Sequence, residues 1–558
     1  MRNVPGLLVL AARWPPPVSA LSVALPMSRL LRTLASLAPL ALALLLAATP
    51  AHAAPRVVIV GVDGASWSVI DPLLAAGKLP NLAALMRRGV HANLATVEPV
   101  ISPVVWTSIA TGQPPSVHGI GDFFGDAREI AAPTIFERLA VQGLRVGTYE
   151  WLVTWPPREL PGGFVIPDWL RRDGAISPSD AFARAGVSDY RYSNAGITTR
   201  AGFHRTSFRE LAARPARWNA LARAFELDAG AVSFYAIDAL SHRFWGDSYP
   251  AQFEPGSAPP PEPQYSRVIE DAYVGFDRAL GEIVAALPPE CAVIVASDHG
   301  FMASPEWQRV WSFQLRKVLA EAGLREGPNT FELGEFAAVM ARVVPGNFAR
   351  QEAQLTKLVA LLEGMTSEGG APLFTVWRLD GIERPTGHER GWGDRLGQWA
   401  FRQLARFTRG IEFDQPAHAW IVAMPNGDAL EAAWPNGRVR VGGKLHAARE
   451  LIFGDGFSGV HHPVAVFAAA GGPLRHDAQR GELSVLDIAP LYAYLAGARI
   501  PDDLPGTLAA HWIDPRALAQ QPPRFVKAST LERLPPPAAH AIPDEELLER
   551  LRAMGYVE

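Results

Sequence analysis

Three short apolar runs, each followed by an aspartate, set the frame of the chain. Arg56–Gly64 reads RVVIVGVDG, Ala231–His242 reads AVSFYAIDALSH and Cys291–Gly300 reads CAVIVASDHG. Runs of this length, rich in Val and Ile and without polar alternation, predict strands buried on both faces, as in a parallel sheet. Parallel α/β sheets carry their chemistry just past the carboxyl ends of the strands. Asp63, Asp238, Asp298 and His299 are therefore expected at one sheet edge, with His242 four residues after Asp238. An unpaired buried carboxylate is costly, so acids gathered there need a partner.

The segments between these runs read as an α/β protein. Asp71–Ala76 and Asn81–Arg88 predict short helices, the second stopped by Gly89. In ISPVVWTSIATGQPPSVHGIG (101–121), Ser102 suits a helix cap and Pro103 its first turn, with Thr107 near the positive end of the helix dipole. Thr134–Gln142 predicts a helix, Leu144–Tyr149 a strand, and Tyr265–Ala286 a long amphipathic helix. Residues 156–223 lack steady periodicity and read as an excursion from the sheet. His461 precedes the apolar run Val464–Ala470, and Ser484–Ala496 predicts a further helix. This divides the chain into a core (54–303 and 451–520), an inserted cap (304–450) and an extension (521–558). The extension is Pro-rich over Pro522–Pro543 and ends in a predicted helix near Glu545–Met554.

Composition narrows the picture. Apolar residues make up 48% and charged residues 19%, which is ordinary for a globular protein, and no repeat of solenoid spacing is present. A formal charge of −4 without a dense Lys/Arg cluster argues against a nucleic-acid-binding surface. From Met27 the chain reads as an export signal: Arg29 and Arg32, an apolar core at Leu37–Ala48, and a small-x-small pattern predicting cleavage after Ala53. Met27 rather than Met1 is then the expected start. Losing residues 1–53 removes four arginines and no acid, taking the charge from −4 to −8. The expected location is periplasmic or secreted, with no transmembrane span in the mature chain. The single cysteine, Cys291, excludes an internal disulfide, so stability must come from core size or bound metal.

The candidate site residues are Asp63, Thr107, Asp238, His242, Asp298, His299 and His461. Taken singly, Asp63 would cap a turn, Thr107 would be a helix residue with a satisfied hydroxyl, and Asp238–His242 would be a local ion pair. Together they form a mixed carboxylate and imidazole set that suits zinc. They are too many for one tetrahedral ion and enough for two, and paired ions stabilise both oxygens of an in-line displacement at phosphorus. A threonine on one such ion becomes a usable nucleophile.

These segments resemble the alkaline phosphatase superfamily, and within it the type I phosphodiesterase/nucleotide pyrophosphatase family. The resemblance is carried in order by VGVDG (60–64), SPVVWTSIATG (102–112), VHGI (117–120), DALSHRFW (238–245), SDHGF (297–301) and GVHHP (459–463). It implies a three-layer α/β/α sandwich with a mostly parallel sheet and an inserted cap. It implies two divalent ions, zinc by donor type, one held by Asp238, His242 and His461. The second would be held by Asp63, Asp298 and His299 and approached by Thr107. Thr107 would attack phosphorus and leave a phosphothreonyl group that water then releases. The G-x-H pattern favours His461 over His462. The implied partner is a small phosphoric ester.

Two departures shape the expectation. The resemblance implies hydrolysis of phosphodiester or nucleotide pyrophosphate bonds, but the HGI turn is followed by Gly121-Asp122-Phe123-Phe124 rather than by the Asn that many nucleotide pyrophosphatases carry, which weakens the nucleotide part more than the chemistry. The Cys/Ser-x-Pro-x-Arg signature of sulfatases is absent. Monoesterase, phosphonate hydrolase and headgroup transferase activities on the same core stay open, as does a non-catalytic metal-stabilised binding protein. His118 is expected to hold a turn. Trp151, Trp155, Trp245 and Trp311 are expected in the core or in a substrate pocket, with Phe244 and Trp245 near the site.

Overall fold

The computed structural model describes residues 56–537 except 124, 171–173, 190–199, 255–260, 314–317, 321, 325–331, 337, 343–347, 381–418, 435–436 and 478. The expected signal segment, the helix near Glu545–Met554, Trp392 and Trp399 lie outside the described residues, as does the side chain of Trp311.

The core is laid down by β1 (Val57–Val62), α1 (Trp67–Ala75), α2 (Pro80–Arg88), β2 (Val90–Ala95), α3 (Ser102–Thr111), α4 (Ile135–Ala140) and β3 (Val146–Trp151). It continues with β4 (Phe164–Pro167), α5 (Arg200–Ala224), β5 (Ala229–Phe234), α6 (Ala236–Ser248), α7 (Val268–Ala285) and β6 (Ala292–Ala296). Beyond β6 run β7 (Gly300–Phe313), β8 (Glu332–Phe336), β9 (Ala338–Arg342), α8 (Phe348–Glu363), β10 (Thr366–Ser367), β11 (Phe374–Asp380) and β12 (Ala419–Pro425). The last elements used below are β13 (Arg438–Val441), β14 (Lys444–Ala447), β15 (Ile452–His462), β16 (Val464–Ala470), β17 (Arg480–Ser484) and α9 (Ile488–Leu495).

The central sheet has the order β17-β2-β16-β6-β1-β5-β3-β4. Only β16 runs antiparallel to its neighbours; the other pairings are parallel. The three aspartate-ended runs are thus adjacent strands, with β1 between β6 and β5. Their full burial explains why they lack polar alternation: helices cover both faces. Successive β1 residues show the two layers. Val62 packs toward Ile70, Leu82 and Phe276, while Gly61 faces the indole of Trp106.

Three strands of this sheet were not foreseen. β2 alternates buried and half-buried residues, β4 is short, and β17 is largely exposed. The expected excursion over 156–223 therefore contains a strand, and the long helix α5 as well. Helical periodicity is masked in α5 because its buried face includes Glu210 and Arg214. Arg214 is fully buried and bridges Glu150 and Glu210 at 2.7 Å each.

β7 pairs antiparallel with β15 in a long ribbon, with a bulge between Phe457 and Gly459. Between these two strands the chain builds the sheets β11-β12-β9-β8 and β10-β13-β14. This region has its own buried cluster, including Leu358, Leu362, Leu373, Ile421, Leu430 and Val439, separate from the core cluster. Among the described residues no single helix is long and apolar enough to cross a membrane.

Candidate active site

The site is assembled where β1, β5 and β6 end. Asp63 follows β1 directly and is held by its N–H to the Phe234 carbonyl, 2.8 Å. Gly64 turns the chain with φ +70, a left-handed conformation that glycine adopts without steric cost. A Cβ at Gly64 would lie 2.9 Å from the Cβ of Asp238. The Gly64 N–H donates to Asp298 Oδ1 (3.3 Å) and the Ala65 N–H to Ser297 Oγ (2.9 Å), which itself donates to the His299 carbonyl (2.6 Å). The ends of β1 and β6 are thereby laced together.

Asp238 lies in the first turn of α6 rather than at the end of β5. His242, one turn on, shares its face, and the two side chains approach to 3.5 Å. His461 comes from the ribbon, paired with Phe301. Its Nε2 is 3.3 Å from Asp238 Oδ1 and 3.1 Å from His242 Nε2, and its ring stacks on His299 with centroids 3.6 Å apart. His299 Nε2 is 3.5 Å from Asp63, 3.3 Å from Asp298 and 3.8 Å from Asp238. Six of the seven expected residues therefore meet in one buried cluster. His462 turns away, its Nδ1 accepting the Val464 N–H (3.1 Å).

The imidazoles are oriented alike. Nδ1 of His242, His299 and His461 faces the carbonyls of Gly459 (3.1 Å), Gly300 (3.0 Å) and Val100 (2.8 Å). A carbonyl only accepts, so each Nδ1 carries the proton and each Nε2 turns a lone pair into the cluster. This is the arrangement of metal-binding histidines. Two lone pairs 3.1 Å apart, on His242 and His461, repel unless a proton or cation stands between them.

The carboxylates make the same demand. Burial, then the neighbouring Asp298 and Asp238, pushes the Asp63 pKa well up. Burial, then Asp238, raises Asp298 to about 7. Burial also opposes ionisation of Asp238, but a proton held at Nε2 of His242 or His461 outweighs it and holds its carboxyl well below the usual range. Both oxygens of Asp238 and Oδ2 of Asp298 lack a hydrogen bond. Two overlapping groups have donor atoms close enough to hold a metal ion, Asp238–His299–His461 and Asp63–Asp298–His299; they share His299, and His242 abuts the first. The donor set and its orphaned atoms fit divalent cations.

The hydroxyls of α3 divide differently from expectation. Thr107 is buried in mid-helix, and its Oγ1 donates to the Pro103 carbonyl at 2.6 Å. It lines a small cavity with Phe136, Thr148 and Trp151 that includes none of the clustered acids or imidazoles. Ser102 is not the cap: that position is Ile101, and Ser102 opens the first turn. Its Oγ is 3.4 Å from Asp63 Oδ1 and 3.3 Å from His299 Nε2. Trp106, one turn on, donates Nε1–H to Asp63 Oδ2 at 3.1 Å. Sequence reasoning passed over both. Their signal was the i, i+4 spacing from Ser102 to Trp106, which puts both on the face that meets Asp63.

His118 is buried in the turn after α3, accepting the Ile120 N–H (3.1 Å) at Nδ1 and meeting Ser108 Oγ (2.9 Å) at Nε2. Burial lowers its pKa to about 4, so it stays neutral. Trp151, Trp155 and Trp245 are core residues. Trp245 stacks on Phe301, which packs edge-on against His242.

A mostly parallel sandwich gathers carboxylates and imidazoles at the carboxyl edge of its sheet, a donor set of metal-binding type. The profile of the type I phosphodiesterase/nucleotide pyrophosphatase family matches residues 57–398. The chain belongs to that family and is a phosphoester hydrolase. Similar solved structures include murine ectonucleotide pyrophosphatase/phosphodiesterase 5, at 15% identity over 82% of this chain and 100% of that one, TM-score 0.38. Phosphonoacetate hydrolase from Sinorhizobium meliloti 1021 is similar at 17% identity over 80% and 96%, TM-score 0.36.

Proposed function

We propose that the protein is an exported two-metal hydrolase of small phosphodiesters whose nucleophile is a hydroxyl of α3, Ser102 in preference to Thr107. The observation that carries this reading is the position of Ser102 Oγ between Asp63 Oδ1 and His299 Nε2. Asp63, Asp298 and His299 would hold one ion, and Asp238, His242 and His461 the other. Mixed nitrogen and oxygen donors favour zinc. Bound there, two cations would lower the pKa of a nearby hydroxyl and neutralise charge on the phosphoryl oxygens.

The chain's own residues supply the rest. Asp63 Oδ1 accepts the hydrogen bond of the Ser102 hydroxyl and so orients its oxygen, and the hydroxyl proton leaves to solvent. Ser102 Oγ then forms a bond to phosphorus as the bond to the leaving oxygen breaks. Water then hydrolyses the resulting seryl phosphodiester, releasing the phosphomonoester and regenerating the hydroxyl. Thr107, whose proton is engaged by Pro103, would need a rotamer change to act. Family membership favours diesters over monoesters.

The test is hydrolysis of bis-p-nitrophenyl phosphate against p-nitrophenyl phosphate by residues 54–558, after chelation and after zinc is returned. Zinc-dependent preference for the diester supports the proposal; preference for the monoester overturns the substrate class. N-terminal sequencing of the exported chain checks the cut after Ala53.

A further inference from the structure

Asp63 is the one site carboxylate whose two oxygens are both engaged by α3. Ser102 donates to Oδ1 and Trp106 to Oδ2, from positions one turn apart on the helix. The indole that makes the second bond is locked. Trp106 is fully buried, and a Cβ at Gly61 would lie 2.8 Å from its ring, so glycine at that point in β1 is what lets the indole lie across the strand. On its other side Trp151 packs edge-on with centroids 4.7 Å apart and donates its own Nε1–H to the Trp106 carbonyl at 3.2 Å. Indole has one donor and no acceptor. Held in this way, it offers that donor to Asp63 Oδ2 alone.

The consequence falls on one half of the cluster. With Oδ2 tied to the indole, Oδ1 is the oxygen left for Ser102 and for a cation. Asp238 has no such tie, since neither of its oxygens has a hydrogen bond. We propose that Trp106 is a positioning residue of the Asp63–Asp298–His299 centre. Through Asp63 Oδ2 it fixes Asp63 as a one-oxygen ligand and sets that centre's cation affinity apart from that of the Asp238–His242–His461 centre. This rests on the two-cation reading above. Partners that orient metal ligands in this way commonly change affinity by about 10–100-fold when removed.

The test uses the full chain from residue 54 with residue 106 replaced by 3-benzothienylalanine, which keeps the ring's shape and substitutes sulfur for the N–H. Trp106→Phe serves as a second variant. Stepwise zinc dissociation constants are measured by competition with a chromophoric chelator. Asp298→Ala and His242→Ala proteins identify which step belongs to which centre. The expected result is a loss of roughly 10–100-fold in the step that Asp298→Ala abolishes, with the other step within about twofold of the parent. Both steps unchanged in the isosteric variant, or both weakened equally, overturns the assignment of Trp106 and leaves the two-metal reading standing. Failure of the parent protein to bind zinc at either step overturns both.

Discussion

At the scale of single residues, the site is a set of charges that cannot coexist without a cation. Burial pushes both Asp63 and Asp298 toward their neutral forms, aided by Asp298 and Asp238 at Asp63 and by Asp238 at Asp298, while metal binding requires them ionised. With Asp298 raised to about 7 and Asp63 raised as well, protons compete with the cation as the pH falls. Zinc affinity at the Asp63–Asp298–His299 centre should therefore be at least several fold weaker at pH 6 than at pH 8. Chelator competition at pH 6 and pH 8 reads this directly; equal affinities would contradict it. The two hydroxyls of α3 separate at the same scale. Ser102→Ala should lose roughly 10³-fold or more in turnover with its bound zinc retained, as for removal of other nucleophiles. Thr107→Val should change turnover by no more than a few fold, and a Thr107→Val enzyme as dead as Ser102→Ala would sink the preference between them.

Elements explain how much of this was legible. The ends of β1 and β6 could be read from sequence because strands buried on both faces leave an unbroken apolar run, and the charged residue that follows stands out. Asp238 and His242 were legible as a pair because four residues is one helical turn, although they sit on α6 and not at a strand end. His461 followed from its G-x-H context. The hydroxyl was harder. In SPVVWTSIATG three of the residues carry hydroxyls before the final Thr-Gly, and sequence alone does not say which face of α3 meets Asp63. That is decided by packing: Gly61 opens space for Trp106, and Trp106 fixes the helix rotation that brings Ser102 round. Gly61→Ala would force a Cβ to 2.8 Å from the indole. It should cost about 1–3 kcal/mol of stability, as overpacking does, and weaken the Asp63 centre with it. Denaturant unfolding and zinc titration of that variant measure the two effects. The strands β2, β4 and β17 and the helix α5 stayed hidden because short edge elements and a helix with buried Glu210 and Arg214 carry no clean apolar period.

Across the whole molecule, the cluster joins distant parts of the chain. β1, α6 and β6 belong to the core, whereas His461 sits on the ribbon that leads to and from the inserted region with its own buried cluster. The same ribbon gives the Gly459 carbonyl that orients His242. Cations bound at the cluster would tie these segments in the folded state only. Zinc at about 100 times its dissociation constant should then add about 2.7 kcal/mol of stability per bound ion, seen as a rise in unfolding temperature over the chelated protein. An unchanged unfolding temperature at saturating zinc would contradict that link.

The central claim is that the α3 hydroxyl lying among the acids and imidazoles is the one that takes the phosphoryl group. The most direct measurement is peptide mass spectrometry of the zinc-loaded enzyme quenched in acid during turnover of bis-p-nitrophenyl phosphate. The account predicts a p-nitrophenylphosphoryl ester on Ser102. An adduct on Thr107 instead, or sustained turnover with Ser102 replaced by alanine, would contradict it.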